Sequence, residues 1–172
     1  MAKILIAYYS RKGQNYVNGA IKNLAKGNTE VVAEMIQKFI GGDLFEIDTV
    51  KDYPVDYTEC TQVAKVEIQQ KARPELKRYL ASLDDYDKIF LGYPIWWSIP
   101  PMAVSTFLEC YDFSGTKIFP CATHEGSGLG GSVNYIKRIC PKAEVIDGLA
   151  IHGAEAANAE REVSAWTKRL LS

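Results

Sequence analysis

The sequence predicts an α/β fold, a three-layer, doubly wound sandwich built around a five-stranded parallel sheet. Apolar runs alternate with amphipathic stretches along the 172 residues, which is typical of repeated strand–helix units. The runs at 4–9 and 88–93 are apolar almost throughout, as strands buried on both faces require. Apolar residues at positions 32, 35, 36, 39 and 40 form one stripe along a helix.

Each element follows from local residue types. The predicted strands span residues 4–9, 43–48, 88–93, 117–122 and 144–151. The first helix follows Asn28 or Thr29, either of which can cap it, and ends at Gly41-Gly42. The other predicted helices run from 74 to 83, from Pro100-Pro101 to Cys110, from the glycine-rich turn at 126–132 to Cys140, and from 158 to 171. Segment 51–72 is predicted to be a long polar connection with some helical character. Because Pro120 removes an N–H donor, we expect a bulge or break in its strand. No internal repeat or linker interrupts this order, which predicts one domain over 1–172.

Composition excludes several classes of protein. Lys and Arg total 20 and Asp and Glu total 21, so the net charge of −1 argues against nucleic acid as the main partner. No run of about 18 apolar residues occurs, which predicts no membrane insertion. The four cysteines form no C-x-x-C pair and no cleavage site follows the apolar start. We therefore expect reduced, mostly buried thiols in a cytoplasmic protein.

Unusual loops follow predicted strands one, three and four, whose carboxyl ends are neighbours in a doubly wound sheet and form the usual ligand site. The first loop leads into a helix N-terminus, where free N–H groups and the helix dipole favour an anion such as phosphate. Gly27 permits close approach, and Ser10, Asn28 and Thr29 can donate hydrogen bonds. An ordinary capped turn would use the same residues, so phosphate binding is one of two interpretations.

The second loop, 93–101, contains the adjacent Trp96 and Trp97. Two neighbouring indoles cannot both enter one core face, so at least one is expected to be exposed or to line a cleft. There it offers a flat ring for an aromatic ligand. The alternative is that both rings pack under the following helix.

The third loop, 123–132, is dense in glycine, so its backbone N–H groups can approach a ligand closely. The alternative is a flexible loop without a ligand. Together the three loops predict a phosphate at one end, an aromatic plane against tryptophan and backbone donors along a ring edge. That combination describes flavin mononucleotide (FMN).

Four stretches of the sequence resemble a bacterial flavodoxin-like, FMN-binding family: YYSRKGQN, GNTE, LGYPIWWSIPP and THEGSGLGGS. The resemblance covers essentially the whole chain and implies the strand order 2-1-3-4-5. It implies phosphate contacts from Ser10, Asn28 and Thr29. It implies contacts to the ribityl chain and flavin ring from Pro94, Ile95, Trp96, Trp97 and Ser98. It implies that the ring's polar edge borders Thr123, Glu125, Gly126 and Gly128.

The sequence also departs from that family pattern. Shorter relatives run S-R-x-G-N-T without interruption, whereas 11–26 separate Ser10 from Gly27 here. The phosphate stretch is therefore either Lys12-Gly13-Gln14-Asn15 or Gly27-Asn28-Thr29, and the helix directly after the second stretch favours it. Electron-shuttling flavodoxins are typically strongly acidic and often place a Tyr over the flavin, but this chain is near neutral and its third loop has no Tyr.

Other chemistries of this fold lack their residues. Response regulators need acidic residues where this chain has Tyr9-Ser10 and Tyr93-Pro94, and no cysteine begins the C-x₅-R motif of small phosphatases. His124 and His152 have no metal-ligand spacing, which predicts no metal site. His124 is either a proton donor to a substrate or a passive surface residue. No activated nucleophile is evident, so we expect no covalent catalytic side chain.

Three functions fit the sequence. The first is an electron-transfer flavoprotein that works with a redox partner protein or a small-molecule acceptor. The second is an NAD(P)H-dependent reductase that passes hydride through FMN to a quinone-like acceptor, with segments 53–57 and 73–75 bordering its substrate cleft by analogy of fold. The third is a flavin-free interaction module. The physiological partner and the oligomeric state stay open.

Overall fold

The computed structural model describes residues 3–172, which form eight strands and six helical segments. The strands are β1 (Lys3–Tyr8), β2 (Gly13–Val17), β3 (Ala20–Leu24), β4 (Asp43–Glu46), β5 (Tyr86–Pro94), β6 (Lys117–His124), β7 (Glu144–Val145) and β8 (Leu149–His152). The helices are α1 (Asn28–Ile40), α2 (Tyr57–Gln69), α3 (Met102–Glu109), α4 (Ser132–Ile139) and α5 (Glu160–Leu171), with a 3₁₀ helix at Gly153–Asn158.

The main sheet has the order β4-β1-β5-β6-β7, and β8 also pairs with β6. Every pairing in this sheet is parallel. Since β7 and β8 share the fifth position, the predicted parallel sheet and its 2-1-3-4-5 order are confirmed. The predicted fifth strand is divided in two rather than continuous over 144–151.

Helices cover both faces of the sheet. Leu5 of β1 belongs to the core beneath α3 and α4, which includes Phe107. Its neighbour Ile6 faces the other core, beneath α1 and α5, which includes Trp166. Because successive strand residues point to opposite faces, a strand covered on both sides needs apolar residues at every position. This accounts for the unbroken apolar runs that predicted the strands.

The segment expected to be a long loop after β1 contains a hairpin instead. Strands β2 and β3 pair antiparallel around Asn18 and Gly19, which both have positive φ, at 53° and 86°. Asn-Gly is the preferred pair for such a two-residue turn, because both positions need a left-handed backbone. That dipeptide was the sequence signal for the hairpin.

The prediction of a helix over 74–83 was wrong. Leu76 is buried and forms an antiparallel bridge with Thr49. The N–H of Val50 donates to the carbonyl of Glu75 at 2.9 Å, and that of Lys77 to Asp48 at 2.8 Å. These bonds to the segment after β4 hold the backbone extended, so tertiary pairing overrides the helical spacing of the leucines.

The bulge or break expected at Pro120 lies on one side of its strand only: β5 and β6 keep one register throughout their pairing, whereas pairing on the other side of β6 is interrupted. On the other side of β6, Ile118 pairs with Val145 of β7 and Cys121 with Leu149 of β8. Pro120 lies in the interval between those two short strands, where no ladder partner is lost. A proline is therefore tolerated inside a central strand.

The cysteines are mostly buried, as expected. Cys60, Cys121 and Cys140 are buried, Cys110 is exposed, and all four are free thiols. Within residues 3–172, none of the helices combines the length and apolarity needed to cross a membrane.

Candidate functional site

A cleft of about 290 Å³ lies at the carboxyl ends of β1, β5 and β6, where the three loops meet. Its lining comprises Arg11, Asn15, Tyr16, Asn28, Thr29, Tyr57, Pro94, Ile95, Trp96, Thr123, His124, Glu125, Ser127 and Gly153. Eight of the predicted site residues are in this set. Ser10, Lys12, Gly27, Trp97, Ser98, Gly126 and Gly128 are not.

One end of the cleft, here called the anion end, is formed by Asn28 and Thr29 at the start of α1. Neither caps the helix with its side chain; Gly27 is the N-cap residue. Ser10 Oγ accepts the N–H of Glu30 at 3.0 Å, and the carbonyl of Gly27 accepts that of Val31. Within residues 3–172, no acceptor meets the backbone N–H groups of Asn28 and Thr29, which are therefore free for an anion.

Close packing fixes the anion end against β1 and β6. Thr29 Oγ1 lies 2.8 Å from Thr123 Oγ1, and both side chains are buried. A Cβ on Gly27 would collide with Ser10 Oγ and lie 2.6 Å from the carbonyl oxygen of Arg11. Gly27 and Ser10 thus support the start of α1 by packing against each other, and they do not line the cleft.

The alternative phosphate stretch from Lys12 to Asn15 is engaged in the hairpin and its contacts. Gln14 Oε1 accepts the N–H of Tyr57 at 2.8 Å, which ties the hairpin to α2. Asn15 Nδ2 donates to the carbonyl of Arg11 at 2.8 Å. Lys12 is exposed outside the cleft, and Asn15 alone of the stretch lines it.

The opposite end, here called the aromatic end, comprises the rings of Trp96, Tyr57 and Tyr16. Trp96 is half-buried, and its ring packs edge-to-face on Tyr9 and Tyr53, with centroids 5.3 and 5.2 Å away. Tyr57 and Tyr16 stack on each other with centroids 6.1 Å apart. Both tyrosines come from outside the third loop, which has none.

The two tryptophans occupy different environments, as the sequence predicted. The Trp97 side chain is 50% exposed and lies in an adjoining cavity of about 270 Å³, here called the side cavity. Its Nε1 donates to the carbonyl of Thr61 at 2.9 Å. Lys65 Nζ lies 5.4 Å from the centre of the indole, within cation–π range.

A strained turn carries Trp97. The N–H of Trp96 donates to the carbonyl of Ile99 at 2.9 Å, and the two residues between, Trp97 and Ser98, have φ of 54° and 77°. Left-handed backbone costs a residue with a side chain about 1–2 kcal/mol. The N–H of Gly131 compensates by donating to both the carbonyl and Oγ of Ser98, at 2.8 and 3.0 Å. Ser98 therefore fastens the second loop to the third.

The third loop contributes polar side chains to the cleft, and neither Gly126 nor Gly128 lines it. The N–H of Gly126 donates to His124 Nδ1 at 2.9 Å, so a ligand would have to compete for it. Burial and the neighbouring His152 lower the pKa of His124, while Glu125 raises it. Glu125 Oε1 accepts the N–H of Asn18 at 2.7 Å, which joins this loop to the tip of the hairpin.

Comparison with known proteins places the fold. The flavodoxin family model matches residues 3–170. The chain belongs to the flavodoxin family. A candidate flavoprotein from Bacteroides eggerthii is 29% identical, with a TM-score of 0.79 over 100% of this chain and 99% of that one. A flavoprotein from Lactobacillus acidophilus, solved in complex with FMN, is 22% identical, with a TM-score of 0.66 over 92% of this chain and 98% of that one. A Fusobacterium nucleatum flavodoxin bound to FMN is 13% identical, with a TM-score of 0.55 over 98% and 97%. No curated protein sequence matches.

Sequence reasoning missed part of the cleft wall. Arg11, Tyr16 and Gly153 were not predicted, because Arg11 and Tyr16 were placed in a loop and the turn before Gly153 carried no signal. Arg11 connects the hairpin to the connection before α2: its Nη2 donates to the carbonyls of Pro54 and Val55, each at 3.0 Å. The Asn-Gly turn was the signal that could have placed Tyr16. Of the two candidate substrate segments, only 53–57 reaches the cleft, through Tyr57.

Proposed function

We propose that this chain is an FMN-dependent redox protein, which binds one flavin non-covalently in the cleft and transfers electrons through it. The observation that carries the proposal is the pairing of free helix N–H groups at one end of the cleft with aromatic rings at the other. FMN has the same order of groups, a phosphate dianion joined by a ribityl chain to a flat ring. When bound, FMN supplies the redox chemistry, and the protein positions it and tunes it.

The anion end fits the phosphate. The N–H groups of Asn28 and Thr29 and the dipole of α1 supply donors and partial positive charge without a Walker motif. The nearest carboxylate on the helix, Glu30, is half-buried, and its pKa is raised chiefly by burial, then by Glu46 and Glu34.

The aromatic end fits the ring. Pro94, Ile95 and Trp96 form a wall that leads from the anion end toward Tyr57, and Trp97 continues it into the side cavity. Stacking of an aromatic pair contributes about 0.5–1.5 kcal/mol beyond the area it buries. Trp96 lines the cleft and Trp97 lines the side cavity, so Trp96→Ala and Trp97→Ala compared in one FMN titration show which indole stacks on the ring. If both variants bind FMN like the parent, neither indole is a platform.

A flavin titration tests the proposal itself. We expect yellow protein on reconstitution, with FMN bound more tightly than riboflavin because riboflavin lacks the phosphate. Each charge-assisted hydrogen bond lost should cost about 1.5–3 kcal/mol. Asn28→Ala keeps the backbone N–H but removes the side-chain amide, which lines the cleft and was predicted to contact the phosphate, so it should weaken FMN and leave riboflavin unchanged. Asn134→Ala on the exposed side of α4 should alter neither. Equal affinity for the two flavins would overturn the phosphate assignment, and binding of neither would support the interaction-module alternative.

The cleft also suits a reductase as a second function, because the side cavity opens beside it and shares five lining residues with it. Steady-state oxidation of NAD(P)H by the FMN-loaded protein alone would favour the reductase. Reduction only through a partner protein would favour the carrier.

A further inference from the structure

We propose that the side cavity binds a second, smaller molecule next to the flavin: a planar, uncharged ring that carries carbonyl oxygens, of the quinone class. This deepens the proposed function by naming the acceptor and rests on it. The cavity is distinct from the cleft at its far end, where Cys60, Thr61 and Ala64 of α2 form the wall. None of these three residues lines the cleft.

Aromatic rings make this cavity selective for a flat ligand. Tyr57 and Trp96 stand between it and the cleft, and Trp97 closes its outer side. The bond from Trp97 Nε1 to the Thr61 carbonyl fixes that outer ring against α2. The buried Ala64 contributes only a methyl group, which leaves room where a larger residue would fill the space.

Arg11 supplies the polar recognition. Three of its five N–H groups are engaged, since Nε donates to Gln14 and Nη2 to Pro54 and Val55. Within residues 3–172, Nη1 has no oxygen acceptor and Arg11 makes no ion pair. The Cys60 thiol lies beside the guanidinium in the cavity, and its sulfur is a weak acceptor that a ligand oxygen can replace. A carbonyl oxygen in the cavity can accept from Nη1, and the guanidinium supplies the positive charge that favours an electron-rich oxygen.

The size of the cavity limits the ligand. About 270 Å³ is at the low end for small-molecule pockets, which suits one ring or two fused rings and not a nicotinamide dinucleotide. Two-electron reduction of a quinone forms two O–H bonds. The reduced flavin of the proposed function supplies the two electrons, and two protons complete the hydroquinone, which leaves the flavin oxidised.

The experiment measures binding of duroquinone to the oxidised, FMN-loaded protein by equilibrium dialysis. Duroquinone is used because its ring carbons are fully methylated, so the Cys60 thiol cannot add to it. Burial raises the pKa of that thiol, against the smaller, opposing effect of Arg11. Ala64→Leu should weaken duroquinone at least about tenfold by filling the cavity, and change FMN affinity by less than about twofold. Val66→Leu is the matched control, since Val66 is exposed on the same helix outside the cavity, and it should change neither.

Thr61→Leu is the second blocking variant, in case the larger side chain of Ala64→Leu cannot be buried. Thr61 is only half-buried and its hydroxyl donates within α2 to Thr58, so the helix tolerates the change. No binding of duroquinone to the parent, or equal binding to parent and both blocking variants, would overturn the proposal. A loss of FMN affinity as large as the loss of duroquinone affinity would also overturn the proposal, because the cavity would then belong to the flavin site.

The same dialysis with flavin-free protein separates the two proposals. If FMN does not bind but duroquinone does, and Ala64→Leu abolishes it, the side cavity is a quinone site and the proposed flavin function is wrong. If FMN binds and duroquinone does not, the flavin function survives alone.

Discussion

The two ends of the cleft are held together by different means. At the anion end, regular elements do the work: β1 and α1 approach at Gly27, and Thr29 meets Thr123 of β6 in the buried core. At the aromatic end, the segments are held by isolated side-chain hydrogen bonds, such as those from Arg11 to the Val55 carbonyl and from Trp97 to the Thr61 carbonyl. Segments held by few bonds near solvent open at lower free energy than core strands and helices. We therefore expect the anion end to unfold with the whole protein and the aromatic end to open locally.

Substitution of Gly27 by Ala should have the largest effect and reach the whole molecule. Gly27 has φ −65° and ψ 153°, which alanine adopts freely, so the cost is the collision with Ser10 and the Arg11 carbonyl. We expect the free energy of unfolding in urea to fall by about 2–3 kcal/mol. Gly115→Ala, whose Cβ would enter open space, is the control and should cost less, about 1–2 kcal/mol, from its positive φ alone. Parental stability of the Gly27 variant would contradict the close approach.

Arg11→Gln should act locally at the aromatic end. The variant loses donors to the carbonyls of Pro54 and Val55, each worth about 1.5–3 kcal/mol when the donor is charged. Hydrogen exchange should accelerate in β2, β3 and the start of α2, while β5 and β6 stay protected. Arg73→Gln is the control, because Arg73 also donates to backbone carbonyls, and in addition to Glu109, but lies outside the cleft. Uniform acceleration across the sheet would show that the two ends are not separate.

These two ends also differ in how far the sequence predicts them. Apolar strands and the stripe of α1 predict where β1 ends and α1 begins, so Asn28 and Thr29 are placed correctly on the cleft. The aromatic end depends on side chains distant in sequence: Gln14 meets Tyr57, and Trp97 meets Thr61. The spacing of residues along the chain does not predict such contacts. The roles of Ser10 and Gly27 behind the helix start were equally invisible, because a supporting residue and a ligand-binding residue have the same chemistry.

A smaller effect is expected at Ser98, where the loops of the aromatic end are fastened. Ser98→Ala removes the Oγ acceptor of Gly131 but keeps the left-handed backbone, and should cost about 0.5–1.5 kcal/mol. Ser98→Gly removes the same acceptor and relieves the strain, so it should be more stable than the alanine variant by about 1 kcal/mol. Thermal unfolding of the pair measures that difference. The reverse order would mean that the turn is not strained.

The smallest effect concerns pH. Burial and His152 hold the pKa of His124 below its ordinary value, against the opposing influence of Glu125. The unfolded chain therefore takes up this proton at higher pH than the folded protein, so the contribution of His124 to stability falls as the pH drops below about 6.5 and levels off below its folded-state pKa. His124→Gln should reduce that slope in urea unfolding. An unchanged slope would show that other groups dominate the acid side.

The division of the fifth strand affects how readily one molecule can pair with another through the edge of its sheet. The outer side of the sheet consists of two residues in β7 and four in β8, and the other side of four in β4. An exposed sheet edge can accept a strand from a neighbouring chain, and the longer its row of unpaired N–H and C=O groups, the stronger that attachment. Here the row breaks after Val145 and resumes only at Leu149. A strand from another molecule would lose its register at that gap, which protects a sheet with two open sides from edge-to-edge aggregation.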